Sequence, residues 1–474
     1  MKKTIKLYSV KIDKKITDEL TLIAYRYSKV KNYIYQNYGS INGLTYVDKP
    51  NNLRDEWVKS GFANQWKLSA RYWKMALSEA FSNIKTTLSQ TKTKIKDYIK
   101  RNIINKQEAH YIRYILKSDK NLYKILTNQQ VEIKKEFNVD KNKLHKLLKR
   151  LYRKYNPKSL SKQYKTFMVD SAMYQVKNGL LEIASLTPRK RLKIKLTSNI
   201  TKTKGNIRIV IDKYKNRIEI HYAINIKTKA NNNSAIIGID KGFKKLIATS
   251  NNRFYGENLS ELLIKHSEEL NSKNKQRNKL NALKRKYIEK SKTNPKYTKK
   301  LKNLYKFNLS KQKYYNRKNT TKENITKYIN QSINNFINHE KPKVVVMEDL
   351  TFVTKNKHKL PKKVNRWLSS WLKGYIQNRL EYKLSVNQTE LVNVNPAYTS
   401  QICSNCQSFG KRRGERFYCK VCGGVDADYN ASVNILNRFY DNEITLYTPY
   451  KKVKEILLLR MSDREKSRTV PSKT

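Results

Sequence analysis

Three acidic side chains stand where they could do metal-assisted chemistry on a phosphodiester: Asp240 in SAIIGID, Glu348 in KVVVMEDL and Asp428 in DADYNAS. Carboxylates at the ends of buried strands and at a helix start can hold two Mg²⁺ ions that activate a nucleophile and stabilise a leaving oxygen. Taken singly, each has a plainer reading. Asp240 can close a strand as a turn residue, and a carboxylate in the first turn of a helix can cap free amides, a role open to Asp426 and Asp428 alike. Along the second strand side chains alternate faces, so Glu348 lies with Val344 and Val346 whereas Asp349 lies with Val345 and Met347. The strand-ending position favours Glu348, with Asp349 as the fallback.

A second set of residues is more specific. Cys403, Cys406, Cys419 and Cys422 form C-x2-C-x12-C-x2-C, the spacing of a tetrahedral four-thiolate Zn²⁺ site. With no open coordination position, such a metal folds a loop and performs no chemistry. All four cysteines of the chain fall in this stretch, which excludes a disulfide framework spread across the fold. Lys411, Arg412, Arg413 and Arg416 lie between the pairs and could touch phosphate.

The elements that must position these residues can be read from apolar periodicity. Residues 235–239 are continuously apolar, as in a central strand buried on both faces with Asp240 at its end. Residues 244–249 and 253–255 can supply two antiparallel neighbours, and residues 343–350 a second central strand. From Val425 a helix with Val433, Ile435 and Leu436 inward would carry the third acid. Between Leu259 and His339 two Lys-rich helical segments, separated at residues 291–295, offer an apolar seam. Its members are Leu270, Leu280, Leu283 and Ile288 on the first segment, and Leu301, Leu304, Leu309, Ile325 and Ile329 on the second.

The first half has a different pattern. Residues 6–12 read as a strand, and Thr17 as the cap of a helix bearing Leu20, Ile23, Ala24, Tyr27, Val30 and Ile34, ended by Gly39. Residues 44–186 read as mostly helical, with breaks near Asn156-Pro157 and Pro188 and with Trp57, Trp66 and Trp73 as core. Leu192, Ile194 and Leu196, and then Ile218, Ile220, Tyr222, Ile224 and Ile226, alternate with polar residues as half-buried strands do. A turn over residues 213–216 joins two of these strands in a hairpin. Together with the N-terminal strand they suggest a small β-barrel interrupted by the helical insertion. Residues 231–234 read as a linker, and the tail after Arg438, basic at Lys451, Lys452 and Lys454 with an apolar patch at 456–459, as partly disordered.

Composition points to the partner. With 102 Lys plus Arg against 37 Asp plus Glu, the formal charge is +65, and a polyanion is the natural counter-ion. Codon bias toward AT-rich DNA would inflate Lys but would not also deplete the acids. The 474 residues have room for two to four domains. MKKTIKLYSV lacks the apolar run of a signal peptide, and no stretch approaches a span of about 20 apolar residues, so a soluble cytoplasmic protein with no membrane partner is expected. Six scattered histidines form no Ser/His/Asp arrangement, and there is no Walker loop or second nuclease motif.

Taken together, GIDKGFKKLIATS, VVVMEDL, NPAYTSQICSNC, CKVC and ADYNASVNIL resemble, in order and approximate spacing, the RuvC-type nuclease half of TnpB proteins. These are the transposon-encoded relatives of miniature type V CRISPR effectors. The resemblance covers about Ser234 to Asn437 and implies an α+β multidomain fold. A wedge-like β-barrel would occupy 1–43 and 187–232, split by a helical recognition segment at 44–186. A ribonuclease H-like RuvC domain would take 233–402 and 423–438, carrying the helical hairpin 259–339, with a zinc ribbon at 403–422 and a basic tail at 439–474. The family pattern makes Asp240, Glu348 and Asp428 the catalytic Mg²⁺ ligands and demotes Asp426. It implies RNA-guided cleavage of DNA beside a short motif, with guide RNA and double- and single-stranded DNA target as partners, one or two copies per guide RNA, in the prokaryotic cytoplasm at the nucleoid. A miniature type V effector is the alternative, and a guide-dependent repressor a weaker one, because a repressor would be expected to lose one of the three acids. The first half carries no short motif that matches.

Overall fold

The computed structural model describes residues 2–469 apart from residues 48, 103–104, 132–135, 158, 162–163, 199–204, 213–214, 227, 229, 351–360 and 371–372. Two compact units divide the chain at Ile226 and Lys227, and the whole is an α+β protein with several sheets.

In the first unit, β1 (Lys2–Tyr8) is followed by α1 (Lys14–Tyr38), α2 (Pro50–Lys59), α3 (Ala70–Asn102), α4 (Lys106–Lys117), α5 (Asp119–Leu126) and α6 (Lys141–Tyr155). The strands β2 (Thr166–Val169), β3 (Tyr174–Lys177), β4 (Leu180–Ala184), β5 (Arg191–Lys195), β6 (Ile207–Asp212) and β7 (Arg217–Asn225) complete it. Helix α1 is capped by Asp13, whose carboxylate accepts from the Lys14 N–H. Thr17 lies inside the first turn and donates back to the Asp13 carbonyl, so the cap expected at Thr17 sits four residues earlier. Gly39 does end the helix. The stretch 44–186 is helical only to Tyr155; three strands lie within its last part, where Phe167, Val169, Leu181 and Ile183 alternate as core residues. Trp57 and Trp73 are buried, and Trp66 packs beside them against Tyr33 and Phe62.

The barrel is corrected to two open sheets. One runs β1-β7-β6-β2 and the other β3-β4-β5, and among the described residues they meet at the bridge between Ser9 and Leu196, flanked by backbone hydrogen bonds from Val10 to Lys195 and from Thr197 to Tyr8. Among the described residues β2 does not pair with β3. The Asp170 carboxylate accepts from the Ala172 and Met173 N–H groups, which turns the chain from one sheet into the other, and the open side is covered by Tyr27 of α1 and Tyr72 of α3 packing on Phe167. The β6–β7 hairpin forms as expected, although Lys213 and Tyr214 of its turn lie outside the described residues.

The second unit is built on a mixed five-stranded sheet, β10-β9-β8-β11-β12. Its strands are β8 (Ile236–Asp240), β9 (Ile247–Thr249), β10 (Phe254–Tyr255), β11 (Val344–Glu348) and β12 (Glu390–Val394). Strand β11 runs parallel to both β8 and β12, while β9 and β10 are antiparallel. Helices α7 (Leu259–Lys290), α8 (Lys296–Asn303) and α9 (Lys311–Glu340) form the insertion, with α10 (Lys362–Ser370) and α11 (Lys373–Val386) before β12. The expected seam is only partly real: Leu304, Leu309, Ile325 and Ile329 are buried, whereas Leu283 and Ile288 are exposed. A small antiparallel sheet of β13 (Lys411–Arg413), β14 (Arg416–Cys419) and β15 (Gly423–Asp426) leads into α12 (Ala427–Phe439). Val425, expected to open that helix, instead pairs with Phe417 in β15.

The tail also differs from expectation. Residues Tyr450–Thr469 form a helix, α13, because Val453 and Leu457 find an apolar seat on Tyr398, Ile402 and Ile444. Arg460 secures it through paired hydrogen bonds of 2.8 and 2.9 Å to Asp441. Residues 470–474 lie outside the described residues. No described helix is long and apolar enough to cross a membrane.

Candidate active site and cysteine knuckle

Parallel pairing of β8 and β11 puts Met347 opposite Ile239, so Asp240 and Glu348 stand side by side at the same edge of the sheet. Alternation sends Ile237, Ile239, Val345 and Met347 into the core with α9, while Val344 and Val346 meet Ile435 of α12 on the other face. Glu348 therefore points with Val346 toward α12, as alternation requires. The close approach of that helix depends on Gly238, where a Cβ would come within 2.4 Å of the Ser432 carbonyl oxygen and 2.7 Å of Leu436 Cβ. The Asp349 backbone N–H continues the ladder, donating to the Val394 carbonyl at 3.0 Å.

At the start of α12 the two aspartates separate. Asp426 is the N-cap, accepting from the N–H groups of Asp428 and Tyr429 at 3.0 Å each, and it also binds Lys245 Nζ at 2.8 Å. Asp428 is relieved of capping, is buried, and faces the strand ends. The three expected acids come together electrostatically. Burial first, then the Glu348 and Asp428 charges, push the Asp240 carboxyl up to about 7, against the opposing pull of Arg412 and the Lys241 backbone N–H. Asp240 ionises readily in this setting only when positive charge offsets its two acidic neighbours.

The structure supplies part of that positive charge from a residue whose particular role the sequence did not single out. Arg412 of β13 reaches Asp428 Oδ1 at 2.7 Å. Of the four basic residues between the cysteine pairs, it is the one brought to the carboxylates; Lys411, Arg413 and Arg416 point to solvent. On the other flank the Thr399 hydroxyl donates to Glu348 Oε1. Behind it lies Arg438, whose guanidinium is almost fully buried, feels the Glu348 charge, and carries an Nη1 with no hydrogen-bond partner among the described residues. Asp441 links Arg438 at 4.0 Å to Arg460 of α13 at 2.8 Å, so the C-terminal helix supports the flank that holds Glu348.

The four cysteines converge with their sulfur atoms within 4.8 Å of one another. Among the described residues they are the group of acids, histidines or cysteines whose ligand atoms gather closely enough to hold an ion; the three carboxylates do not gather to that degree, and Asp428 pairs with Arg412. Burial raises Cys406, but hydrogen bonds from Ser408, Cys419 and Cys422 outweigh it and bring the thiol down to about 6, a thiolate-favouring setting that suits Zn²⁺. Asn430 and Asn434 of α12 bolt the first knuckle to the acid-bearing helix. Asn430 donates to the Ile402 carbonyl at 2.8 Å and accepts from the Ser404 N–H at 2.8 Å, while Asn434 donates to Thr399 and Ile402 at 2.9 and 2.7 Å. The asparagines of ADYNASVNIL were visible in the sequence, but nothing there showed which loop they would hold.

Residues 374–435 match the family model of the Cas12f1-like TNB domain. Over 75 residues the chain is 37% identical to a CRISPR-associated endodeoxyribonuclease Cas12f1 of Sulfoacidibacillus thermotolerans, a match covering 15% of this chain and 18% of that protein. Over 99 residues it is 31% identical to a TnpB-like protein of Methanocaldococcus jannaschii, covering 20% of this chain and 36% of that one. The chain thus spans less than two fifths of either relative in the matched stretches. A Cas12f1-sgRNA-target DNA complex aligns over 92% of this chain and 99% of its own at 18% identity and TM-score 0.26. The mini-RNA-guided endonuclease CRISPR-Cas phi3 aligns over 92% of each chain at 14% identity and TM-score 0.41; scores this low establish no shared fold. The matched domain and the two relatives make this stretch of the chain similar to TnpB-like proteins and to Cas12f1, in the region that carries its cysteines and Asp428.

Proposed function

We propose that this chain is an RNA-guided DNA endonuclease of the TnpB type that cuts beside a short target-adjacent motif, with Asp240, Glu348 and Asp428 as its metal-binding catalytic carboxylates. One observation carries the reading: the buried Asp240 at the end of β8 meets the charges of Glu348 at the end of β11 and of Asp428 in the first turn of α12, and burial with these two charges pushes its carboxyl up to about 7. Such repulsion costs the folded protein stability and is relieved by a bound cation, which is the mark of a functional rather than a structural charge cluster. Mg²⁺ held by these three side chains would supply Lewis acidity and an activated water for phosphodiester hydrolysis.

The chain's own residues position that chemistry. Asp240 must release its proton to act as a ligand, so cutting rises with pH through neutrality. Arg412 is free to exchange the Asp428 carboxylate for a phosphate, to which its guanidinium can donate two parallel hydrogen bonds. Thr399 and Arg438 fix Glu348 from behind. The mixed sheet with acids at two parallel strand ends supports the ribonuclease H-like reading, and the four thiols would hold a structural Zn²⁺ that keeps Arg412 in reach. The +65 charge retains guide RNA and target DNA, while base pairing selects the sequence. A miniature type V effector would use the same site, and the origin of its guide would distinguish it.

The test is to express the protein with its native flanking DNA, sequence the copurifying RNA, and assay Mg²⁺-dependent cutting of a matching plasmid library. A discrete RNA ending in a variable guide is expected, with cutting that Asp240→Ala abolishes while guide and target binding persist. Binding without cutting would replace the nuclease by a repressor. Absence of any preferred RNA would sink the guided reading.

A further inference from the structure

The helical insertion should run without interruption from Lys296 to Glu340 if periodicity alone governed it, yet it breaks. Residues Leu304–Asn308 wind as a π-helical turn closed by the Leu309 N–H on the Leu304 carbonyl at 2.8 Å, and α9 begins afresh at Lys311. The break is held from across the hairpin. Arg277 of α7 donates to the Ser310 and Leu309 carbonyls at 3.2 and 3.1 Å and lies 4.8 Å over the Tyr314 ring. Tyr314 in turn donates to Asn274 at 2.9 Å. Isolated π-turns interrupt helices most often at functional sites, and this one leaves Phe307 68% exposed, more than any other large apolar side chain described.

Phe307 stands at the mouth of a groove of about 450 Å³ between α7 and α9, floored by Leu270 and Leu280 and flanked by Lys273, Lys313 and Lys318. Glu269, its one carboxylate, pairs with Arg317 at 3.8 Å. Lys306 Nζ sits 5.2 Å from the Phe307 centroid, and on the same turn the half-exposed Tyr305 has Lys284 Nζ at 4.8 Å. An exposed aromatic face ringed by lysines beside an apolar slot has the chemistry of a nucleobase platform with phosphate contacts around it. A second copy of this chain is disfavoured as the occupant, since each copy carries +65.

We infer that this kinked groove binds a single-stranded nucleic acid segment, stacking a base on Phe307 while Lys273, Lys313 and Lys318 neutralise adjacent phosphates. The inference shares with the nuclease reading only that the partner is a nucleic acid. Full-length Asp240→Ala protein, unable to cut by that reading, serves as the test background, so the two can fail separately. Its affinity would be measured for a thymidine oligonucleotide, a uridine oligonucleotide and an abasic strand of equal length and charge, over a range of salt.

Phe307→Ala should reduce the preference for base-bearing over abasic strand by about fivefold or more and leave the salt slope unchanged. The pair Lys273→Gln and Lys313→Gln should flatten that slope by about 1.4 and spare the preference. A 5-iodouracil strand should crosslink within residues 304–310, and the thymidine and uridine arms identify which nucleic acid is held more tightly. An undiminished base preference in Phe307→Ala, with helix content intact by circular dichroism, overturns the inference. So does a change confined to self-association in sedimentation, which would assign the groove to a second copy.

Discussion

Two buried carboxylates, one in each unit, are treated in opposite ways. Glu79 of α3 is enclosed by Lys31 Nζ at 2.8 Å, Arg208 Nη2 at 3.0 Å and the Tyr27 hydroxyl at 2.8 Å. Burial raises its pKa, but these partners outweigh burial and hold it below the ordinary carboxylate range. Asp240 meets two further carboxylates and the competing pull of a single arginine, and is held up at about 7. A charge whose neighbours already neutralise it needs no further partner. One left in repulsion gains from a bound cation, and this contrast supports the proposed site at Asp240 without reference to any motif.

The largest effect expected from breaking this contrast is on cutting. Asp240→Asn should lower the cleavage rate by about three orders of magnitude or more, and in the same protein without metal it should raise stability at pH 7.5 by about 1 kcal/mol, read by urea denaturation, because repulsion is removed. Loss of both activity and stability would mean the acid is structural. Glu79→Gln should do the reverse, costing about 3 kcal/mol by stranding the buried Lys31 ammonium and removing the partner of the partly exposed Arg208, with no loss of chemistry per folded molecule.

pH should sharpen the difference. Glu79, with its depressed value, contributes stability that is present above the ordinary glutamate range near 4 and is lost as pH falls through the folded value. Asp240, with its raised value, contributes in the opposite sense: its term is full below about 4 and is lost as pH rises toward 7. Denaturation of the metal-free protein from pH 4 to 7 should therefore show a downward slope in wild type that Asp240→Asn abolishes. Calorimetry in buffers of different ionisation enthalpy at pH 6 should detect release of about one proton per site on Mg²⁺ binding; no release would place the cation elsewhere. The smallest effect is expected from Arg460→Ala, about 1 kcal/mol or less because the pair is partly exposed, with a few-fold fall in cutting if α13 supports Glu348 and none if it only covers the ribbon.

Much of the second unit was legible because its signals are local. An uninterrupted apolar run ending in Asp240, a similar run ending in Glu348, and the cysteine spacing each report a burial pattern or a ligand geometry within about ten residues of chain. The first unit was less legible. The strands after Phe167 were hidden inside a stretch dominated by helical period, and the barrel failed to close because Asp170 turns the chain between sheets. The tail looked too polar to order itself, yet Val453 and Leu457 needed only a ready-made apolar seat, which other parts of the chain supply.

By itself the sequence determined which side chains could act and which face of each strand would present them, since alternation along β11 and the glycine at 238 follow from residue order and size. What the tertiary structure alone decided is who stands beside them. Arg412 at Asp428, the Asp441 link to Arg460, and the clamp of Arg277 on the broken helix join residues 16, 19 and more than 30 positions apart. Long polar side chains choose partners only after folding sets distances and removes water, and the strength of each pairing, including the proton held on Asp240, depends on that burial rather than on sequence.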